Sequence, residues 1–108
     1  MTSLIQVSIT TGSEAEATKI ADHLLQHKLA ACVQVSGPIC SRYHWKGQLE
    51  TSTEWLCVAK TRSALFDRLA AVVRSLHSYD EPEILATAIS HVSPGYSSWV
   101  IDNTNSET

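Results

Sequence analysis

The sequence predicts an α+β fold in which strands and helices follow the order β-α-β-β-α-β, with an extra helix at the C-terminal end. Segments in which apolar and polar residues alternate are followed by segments in which apolar residues recur every three or four positions. A glycine-containing turn between two extended segments predicts one long hairpin. This order is that of a ferredoxin-like sandwich, the split βαβ arrangement.

One domain is expected from the length and composition of the chain. It has 108 residues and 11.8 kDa, and most domains hold roughly 100 to 150 residues. Hydrophobic residues make up 44% and charged residues 18%, which is close to the usual globular mix. We expect the domain to span residues 1–102 and the polar residues 103–108 to form a frayed tail.

The first strand is predicted at residues 4–10, where apolar and polar side chains alternate. A helix follows, because Ser13 and Glu16 have the spacing of a capping box. It continues to about Lys28. The apolar residues that repeat on one face of this helix are Ala17, Ile20, Ala21 and Leu24.

The second and third strands are predicted as a long hairpin. Apolar and polar side chains alternate again at residues 29–45, and Gly37-Pro38 interrupts this pattern as a bulge would. Lys46-Gly47-Gln48 supplies the turn, because glycine adopts the positive φ that a short connection needs. Residues 49–60 form the return strand.

The second half of the chain predicts a helix, a strand and a helix. Thr61 or Ser63 is expected to cap the first of these helices, whose apolar residues recur every three or four positions. Residues 83–91 leave few polar positions and predict a central strand covered on both faces. Ser93 as N-cap and Pro94 at the first helical position open a short last helix.

The hairpin is too long for a lone domain of this size. A strand of about 15 residues extends roughly 50 Å, whereas a compact domain of this length has a radius of gyration of about 13 Å. On this hairpin Tyr43, Trp45 and Trp55 are expected to project beyond the core and to need a partner surface. We therefore expect a symmetric homo-oligomer in which hairpins cover the strand edges of neighbouring subunits.

Charge and composition exclude several partners. Lys and Arg total 8 against 11 Asp and Glu, a net charge of −3 with no basic cluster, so nucleic acid is not expected. No run of about 20 apolar residues predicts a membrane span. The first residues show no positive segment ahead of a long apolar one, so we expect a cytoplasmic location.

The three cysteines are spaced too widely for a disulfide framework or a zinc site. Cys32 and Cys57 stand among apolar residues and are expected to be buried and inert. Cys40 is expected to be more exposed, and a redox role for it is left open.

Five short motifs stand out between residues 7 and 99. They are Leu29-Ala30-Ala31-Cys32-Val33, Ser41-x-Tyr43-x-Trp45-x-Gly47, Glu54 with Lys60-Thr61, His77-x-Tyr79-Asp80-x-Pro82-Glu83-Ile84, and Tyr96-x-x-Trp99. In this order they resemble the motifs of the CutA divalent-cation tolerance proteins. The resemblance implies a homotrimer of ferredoxin-like subunits, related in shape to the PII signalling proteins, with clefts between subunits. It also implies a link to tolerance of copper and other divalent cations.

The chain departs from the family pattern at two places. Ser78 and Asp80 stand where the family usually has proline and glutamate, so the loop is less stiff and its carboxylate has a shorter arm. Ile9 stands where some members have a cysteine that has been considered a metal ligand.

Two interpretations of the loop after the second helix stay open. In the first, His77 and Asp80 bind a divalent metal, copper being one candidate, since imidazole with carboxylate suits such ions. In the second, His77 caps the C-terminus of the helix, while Asp80 and Glu83 form ion pairs with Lys60 or an arginine across the subunit interface. A ligand cleft is expected from Tyr43, Lys60, Tyr79 and Glu83, and a trimer interface from Trp45, Trp55 and Trp99.

His23 and His27, four residues apart on the first helix, have a spacing that chelates one ion from a single face. Without a third ligand nearby in sequence, we interpret them as a solvated pair.

No motif of a serine hydrolase, zinc protease, dinucleotide-binding protein or P-loop protein occurs, so no enzymatic activity is expected.

Three functional hypotheses follow. The first is a non-enzymatic, cytoplasmic homotrimer linked to divalent-cation tolerance, with no required cofactor and with copper or another divalent cation as the ligand. The second is a PII-like signalling module that binds a small anionic metabolite and contacts a regulated protein. The third is a trimer that scaffolds an unidentified protein partner.

Overall fold

Four antiparallel strands form one sheet in the order β2-β3-β1-β4 in the computed structural model, which describes residues 3–105. The elements are β1 (Leu4–Thr11), α1 (Glu14–Gln26), β2 (Cys32–Trp45), β3 (Gln48–Arg62), a 3-10 turn (Ser63–Leu65), α2 (Phe66–Leu76), β4 (Ile84–Ala88) and α3 (Pro94–Asp102). The predicted α+β class and the order of elements are confirmed. Strand β3 lies between β1 and β2, and β4 lies at the sheet edge beyond β1.

The core lies between the sheet and the helices α1 and α2, as the alternation and the helical repeats predicted. Strand β1 has both neighbours in the sheet and contributes three of the buried side chains. The buried residues of this core are Ile5, Val7, Ile9, Ala17, Ile20, Leu24, Leu29, Ala30, Cys57, Ala59, Leu65, Leu69 and Val73.

Helix α1 begins as predicted, but Glu16 does not close the capping box. The Ser13 hydroxyl oxygen accepts a hydrogen bond of 3.1 Å from the Glu16 amide. The Glu16 carboxylate accepts from the Ser78 amide at 2.7 Å and from the Ser78 hydroxyl at 3.1 Å. Glu16 therefore connects the start of α1 to the loop after α2.

The hairpin and its bulge are confirmed. Trp45 pairs with Gln48 across a turn in which Lys46 and Gly47 both have positive φ, of 50° and 79°. The register shifts between Ser36 and Ile39. The molecule measures 44 × 25 × 23 Å with a radius of gyration of 14.4 Å. The long dimension agrees with the predicted protrusion of the hairpin.

Several boundaries differ from the predictions. Strand β2 begins at Cys32, because Lys28 adopts a positive φ of 55° and the amide of Leu29 donates to the carbonyl of Leu24. The hydroxyl of Thr61 donates to the carbonyl of Leu29, so it does not cap a helix.

Helix α2 likewise has no side-chain cap at its start. A 3-10 turn that begins at Ser63 precedes it, and its N-cap residue is Leu65.

Strand β4 is short and lies at the edge, which corrects the prediction of a central, doubly covered strand. Its residues after Ile84 are exposed, and Leu85 is 47% exposed. The apolar run that indicated a central position therefore leaves apolar surface uncovered in the single chain.

The beginning of the predicted tail is also packed. Thr104 is 7% exposed, and its hydroxyl donates to the Val100 carbonyl at 2.9 Å and accepts from Arg62 Nε at 3.1 Å. The Asn105 side chain donates to the His27 carbonyl at 2.7 Å. Residues 106–108 of the predicted tail lie outside the described residues.

Candidate ligand cleft

An open cleft of about 510 Å³ lies between the outer part of the hairpin and the loop from α2 to β4. Its lining residues are Thr10, Ser41, Arg42, Tyr43, Trp45, Glu54, Tyr79, Asp80, Glu81 and Glu83. Four of these carry carboxylates and one carries a guanidinium. The cleft is therefore acidic.

Glu54 is the buried carboxylate of the cleft. It is 6% exposed and pairs with Ile39, directly after the bulge in β2. Its Oε2 accepts a hydrogen bond of 3.0 Å from the hydroxyl of Tyr79. A carboxylate removed from water needs such a donor, because burial of an unpaired charge is costly.

Tyr79 stays protonated at physiological pH. Burial raises the pKa of its hydroxyl to about 12, with further contributions from the hydrogen bond to Glu54 and from nearby acidic groups. Gly12 permits the close approach of the ring, since a Cβ there would lie 3.1 Å from the Tyr79 hydroxyl oxygen. Tyr79 therefore acts as a hydrogen-bond donor in the wall of the cleft.

Glu83 lies close enough to Glu54 to feel its charge. Burial raises the pKa of the Glu83 carboxyl above its ordinary value, and the negative charge of Glu54 raises it further. Two carboxylates in one partly dry site repel each other when both are ionised. A bound cation would relieve that repulsion.

His77 holds the loop in place rather than facing the cleft. Its side chain is fully buried, with Nε2 at 2.7 Å from the Thr10 carbonyl oxygen. Its Nδ1 accepts from the Tyr79 amide at 3.1 Å and lies 3.7 Å from Glu16 Oε2. Because Nδ1 accepts, Nε2 carries the proton and donates to Thr10. Both ring nitrogens therefore have partners.

The predicted pair of metal ligands is not brought together. Asp80 lines the cleft, but His77 does not. Between residues 3 and 105 no group of three or more His, Cys, Asp or Glu side chains is placed to hold a metal ion. His77 is the C-cap residue of α2, its amide donating to the Val73 carbonyl at 2.9 Å, whereas the ion pairs of Asp80 and Glu83 in the alternative interpretation stay a prediction.

Comparison with known proteins identifies the family. A family model described as "CutA1 divalent ion tolerance protein" matches residues 5–103. The chain belongs to the CutA1 family. It is 42% identical over 100 residues to the protein CutA homolog of Xenopus laevis, an alignment that covers 93% of this chain and 66% of that protein. It is 38% identical over 98 residues to the divalent-cation tolerance protein CutA of Thermus thermophilus, covering 91% and 95% of the two chains.

Solved CutA1 structures share the fold. CutA1 from Oryza sativa superposes with a TM-score of 0.95 at 33% identity, covering 98% of this chain and 97% of that one. The chain spans 66% of the Xenopus relative and 55% of mouse CutA, but 95% of the Thermus protein. The names of these relatives describe CutA proteins or tolerance to divalent cations, and none names a reaction.

The other predicted cleft residues of this CutA1 chain divide into two groups. Tyr43, Tyr79 and Glu83 line the cleft, and the Tyr43 hydroxyl lies 3.1 Å from the Ser52 hydroxyl. Lys60 does not line it. Its ammonium donates to the side chain of Gln34 on the neighbouring strand, so within one subunit it belongs to a separate surface.

The three predicted interface tryptophans also differ. Trp45 and Trp99 are 44% and 43% exposed, and Trp99 stacks with Tyr96 at 5.6 Å between ring centroids. Trp55 does not project, since its ring packs against the core and covers Gly37. Trp45 and Trp99 therefore keep apolar surface available for a partner in the single chain.

The cleft contains residues that sequence reasoning did not select as site residues. Glu54 is the most important, and Thr10, Ser41, Arg42 and Glu81 complete the set. The sequence held one signal for Glu54. This carboxylate stands next to Trp55, where the polar half of β3 gives way to its apolar half, and it pairs with β2 directly after the bulge.

The cysteines follow the prediction in part. Cys57 is fully buried, and burial raises the pKa of its thiol to about 11, with a smaller contribution from Glu16. Cys40 is exposed, while Cys32 is only partly buried, and all three are free thiols.

Among the described helices, none combines the length and hydropathy that crossing a membrane requires.

Proposed function

We propose that the chain is the subunit of a non-enzymatic homotrimer linked to tolerance of divalent cations, copper among them, and that its acidic cleft binds the cation. The observation that carries the proposal is that Glu83 and the buried Glu54 line one acidic cleft, where burial and, to a smaller extent, the charge of Glu54 raise the pKa of Glu83. The CutA1 family name supports the cation class.

The cleft suits weak and reversible binding of a cation. Asp80, Glu81 and Glu83 line the same cleft as Glu54, and no three of the described side chains are grouped as a ready-made metal site. Divalent ions of the first transition row bind carboxylate oxygens, and Cu²⁺ binds a given site more tightly than its neighbours in the series. Because Glu83 must be ionised to bind a cation and its pKa is raised, affinity should increase as pH rises through that pKa.

A homotrimer is supported by the apolar surface that one chain leaves uncovered. Trp45, Leu49, Leu85 and Trp99 are 44%, 60%, 47% and 43% exposed, and both edge strands have an unpaired side. Such edges invite pairing with another chain. In the proposed trimer the protruding hairpins cover neighbouring edges, and Lys60 of one subunit approaches a cleft of the next.

Calorimetry tests the cation site. Mn²⁺ and Cu²⁺ are titrated separately into the wild type, Glu83→Gln and a remote charge control, Asp67→Asn on α2. We expect Glu83→Gln to weaken Mn²⁺ binding by at least about tenfold and the control to match the wild type. Equal affinities in all three proteins would remove the cleft from cation binding, and a stable monomer in equilibrium sedimentation would contradict the trimer.

The PII-like alternative is less well supported. An anionic metabolite would meet four carboxylates in the cleft and only the guanidinium of Arg42. A thermal-shift screen separates the two functions, because anions should stabilise a PII-like module and leave a cation-binding cleft unaffected. A scaffold for an unidentified protein partner would respond to neither class of ligand.

A cytoplasmic location belongs to the same proposal. Three free thiols, with Cys40 exposed, suit a reducing compartment. Fractionation of cells that express the chain at its native level should place it with cytoplasmic markers.

A further inference from the structure

We propose that His23 and His27 form a second cation site on the outer face of α1, which takes a borderline divalent ion such as Ni²⁺, Cu²⁺ or Zn²⁺. This inference is independent of the cleft. The sequence alone left the two residues as a solvated pair, and the geometry of their rings changes that interpretation.

The two imidazoles already face each other. Their ring centroids lie 4.3 Å apart with an interplanar angle of 36°. Two imidazoles that bind one ion through nitrogens at 2.0–2.1 Å have ring centres on the order of 5 Å apart. A small rotation of each side chain would therefore complete a chelate without movement of the helix.

The backbone beneath the pair is held by hydrogen bonds at the C-terminal end of α1. The His27 amide donates to the His23 carbonyl at 3.1 Å, which fixes the one-turn separation. The His27 carbonyl accepts from the Asn105 side chain at 2.7 Å, and the Asn105 amide donates to the Lys28 carbonyl at 2.9 Å. The segment after α3 thus pins the end of α1 at this site.

The ring nitrogens are available. Within residues 3–105 neither His23 nor His27 makes a side-chain hydrogen bond, whereas both nitrogens of His77 are engaged and His91 contacts Ser90. His27 is exposed and His23 is half-buried. Water molecules can therefore complete the coordination of a bound ion.

The surroundings do not oppose a cation. The shallow depression that includes His23 is also lined by two carboxylates, one ammonium and a neutral amide, those of Glu14, Asp22, Lys19 and Gln26, so its charge is slightly negative. Two imidazole nitrogens favour Ni²⁺, Cu²⁺ and Zn²⁺ over Ca²⁺ and Mg²⁺, which prefer oxygen. This donor set differs from the all-carboxylate cleft.

Calorimetry with Ni²⁺ on the full, tag-free chain tests the site. His23→Gln and His27→Gln should each weaken binding on the order of 100-fold, because each loses the second, intramolecular ligand. His91→Ala and the remote charge control Asp67→Asn should keep wild-type affinity, which ties the loss to the His23–His27 pair. The sharpest control is His23→Gln combined with Lys19→His, which keeps the number of histidines but puts the pair two turns apart.

Imidazole resonances in an NMR titration give a second measurement. Substoichiometric Ni²⁺ should broaden the signals of His23 and His27 before those of His44 and His91. Equal broadening of all exposed histidines, or wild-type affinity in the variant with histidines two turns apart, would overturn the proposal.

Discussion

The hydroxyl of Tyr79 donates a hydrogen bond of 3.0 Å to the carboxylate of Glu54, and this contact joins the loop after α2 to the hairpin. Glu54 is buried, so Tyr79 supplies a partner that water no longer provides. The bond fixes one wall of the cleft.

Tyr79→Phe should destabilise the protein by about 1 to 3 kcal/mol, because a buried charged acceptor loses its donor. Tyr43→Phe is the matched control, since its hydroxyl bonds Ser52 in an exposed position. We expect the control to change stability by less than about 0.5 kcal/mol. Urea unfolding at one fixed protein concentration measures both, and equal losses would contradict the assigned role of Tyr79.

Glu83→Gln should stabilise the protein at neutral pH. The folded pKa of Glu83 is raised above its ordinary value of 4.5, so the folded state holds the proton more tightly than the unfolded state. Wild-type stability therefore falls as pH rises from about 4.5 through the folded pKa, whereas the neutral glutamine lacks this loss. Thermal unfolding at pH 4 and pH 7 should show a gain for Glu83→Gln only at pH 7, and a gain of equal size at both would exclude this cause.

Gly37→Ala should destabilise the hairpin by about 1 to 3 kcal/mol through overpacking. Gly37 has a φ of 154°, and a Cβ there would lie 2.5 Å from Cδ1 of Trp55. Gly95→Ala on α3 serves as the control, because its Cβ would meet no atom within 4 Å. The denaturant midpoint of unfolding is measured for both variants. Similar midpoints would contradict the clash between the added Cβ and Trp55.

Cys57 should resist thiol reagents until the protein unfolds. It is fully buried, its pKa is raised to about 11, and its thiol contacts the Ala17 carbonyl at 3.6 Å. A variant with Cys32→Ser and Cys40→Ser leaves Cys57 as the single thiol. Reaction with a chromogenic disulfide should be slow in buffer and rapid in denaturant, and rapid reaction in buffer would show that the core opens locally.

The sequence predicted the elements of the fold well, because their signals are local. The hydroxyl of Ser13, the turn at Lys46-Gly47 and the bulge at Gly37-Pro38 each act through neighbouring residues. The position of β4 was mispredicted, since an apolar run has the same appearance in a central strand and in an edge strand whose surface awaits a partner.

The cleft was predicted only in part, because it depends on contacts far apart in the chain. Tyr43, Tyr79, Asp80 and Glu83 were selected, but the burial of Glu54 follows from the register of β3 against the bulged β2. The role of His77 depends on Thr10, 67 residues away, and no spacing rule connects the two.

Glu16 gives the single chain a mechanical link between its first helix and its cleft. Its amide donates to the Ser13 hydroxyl, and its carboxylate accepts from the amide and the hydroxyl of Ser78. Tyr79 follows Ser78 directly in the chain. A tilt of α1 would therefore displace Ser78 and with it the neighbouring Tyr79, which lines the cleft. The described lining of the cleft includes no residue of α1, so Glu16 couples the cleft to a helix that lies outside it.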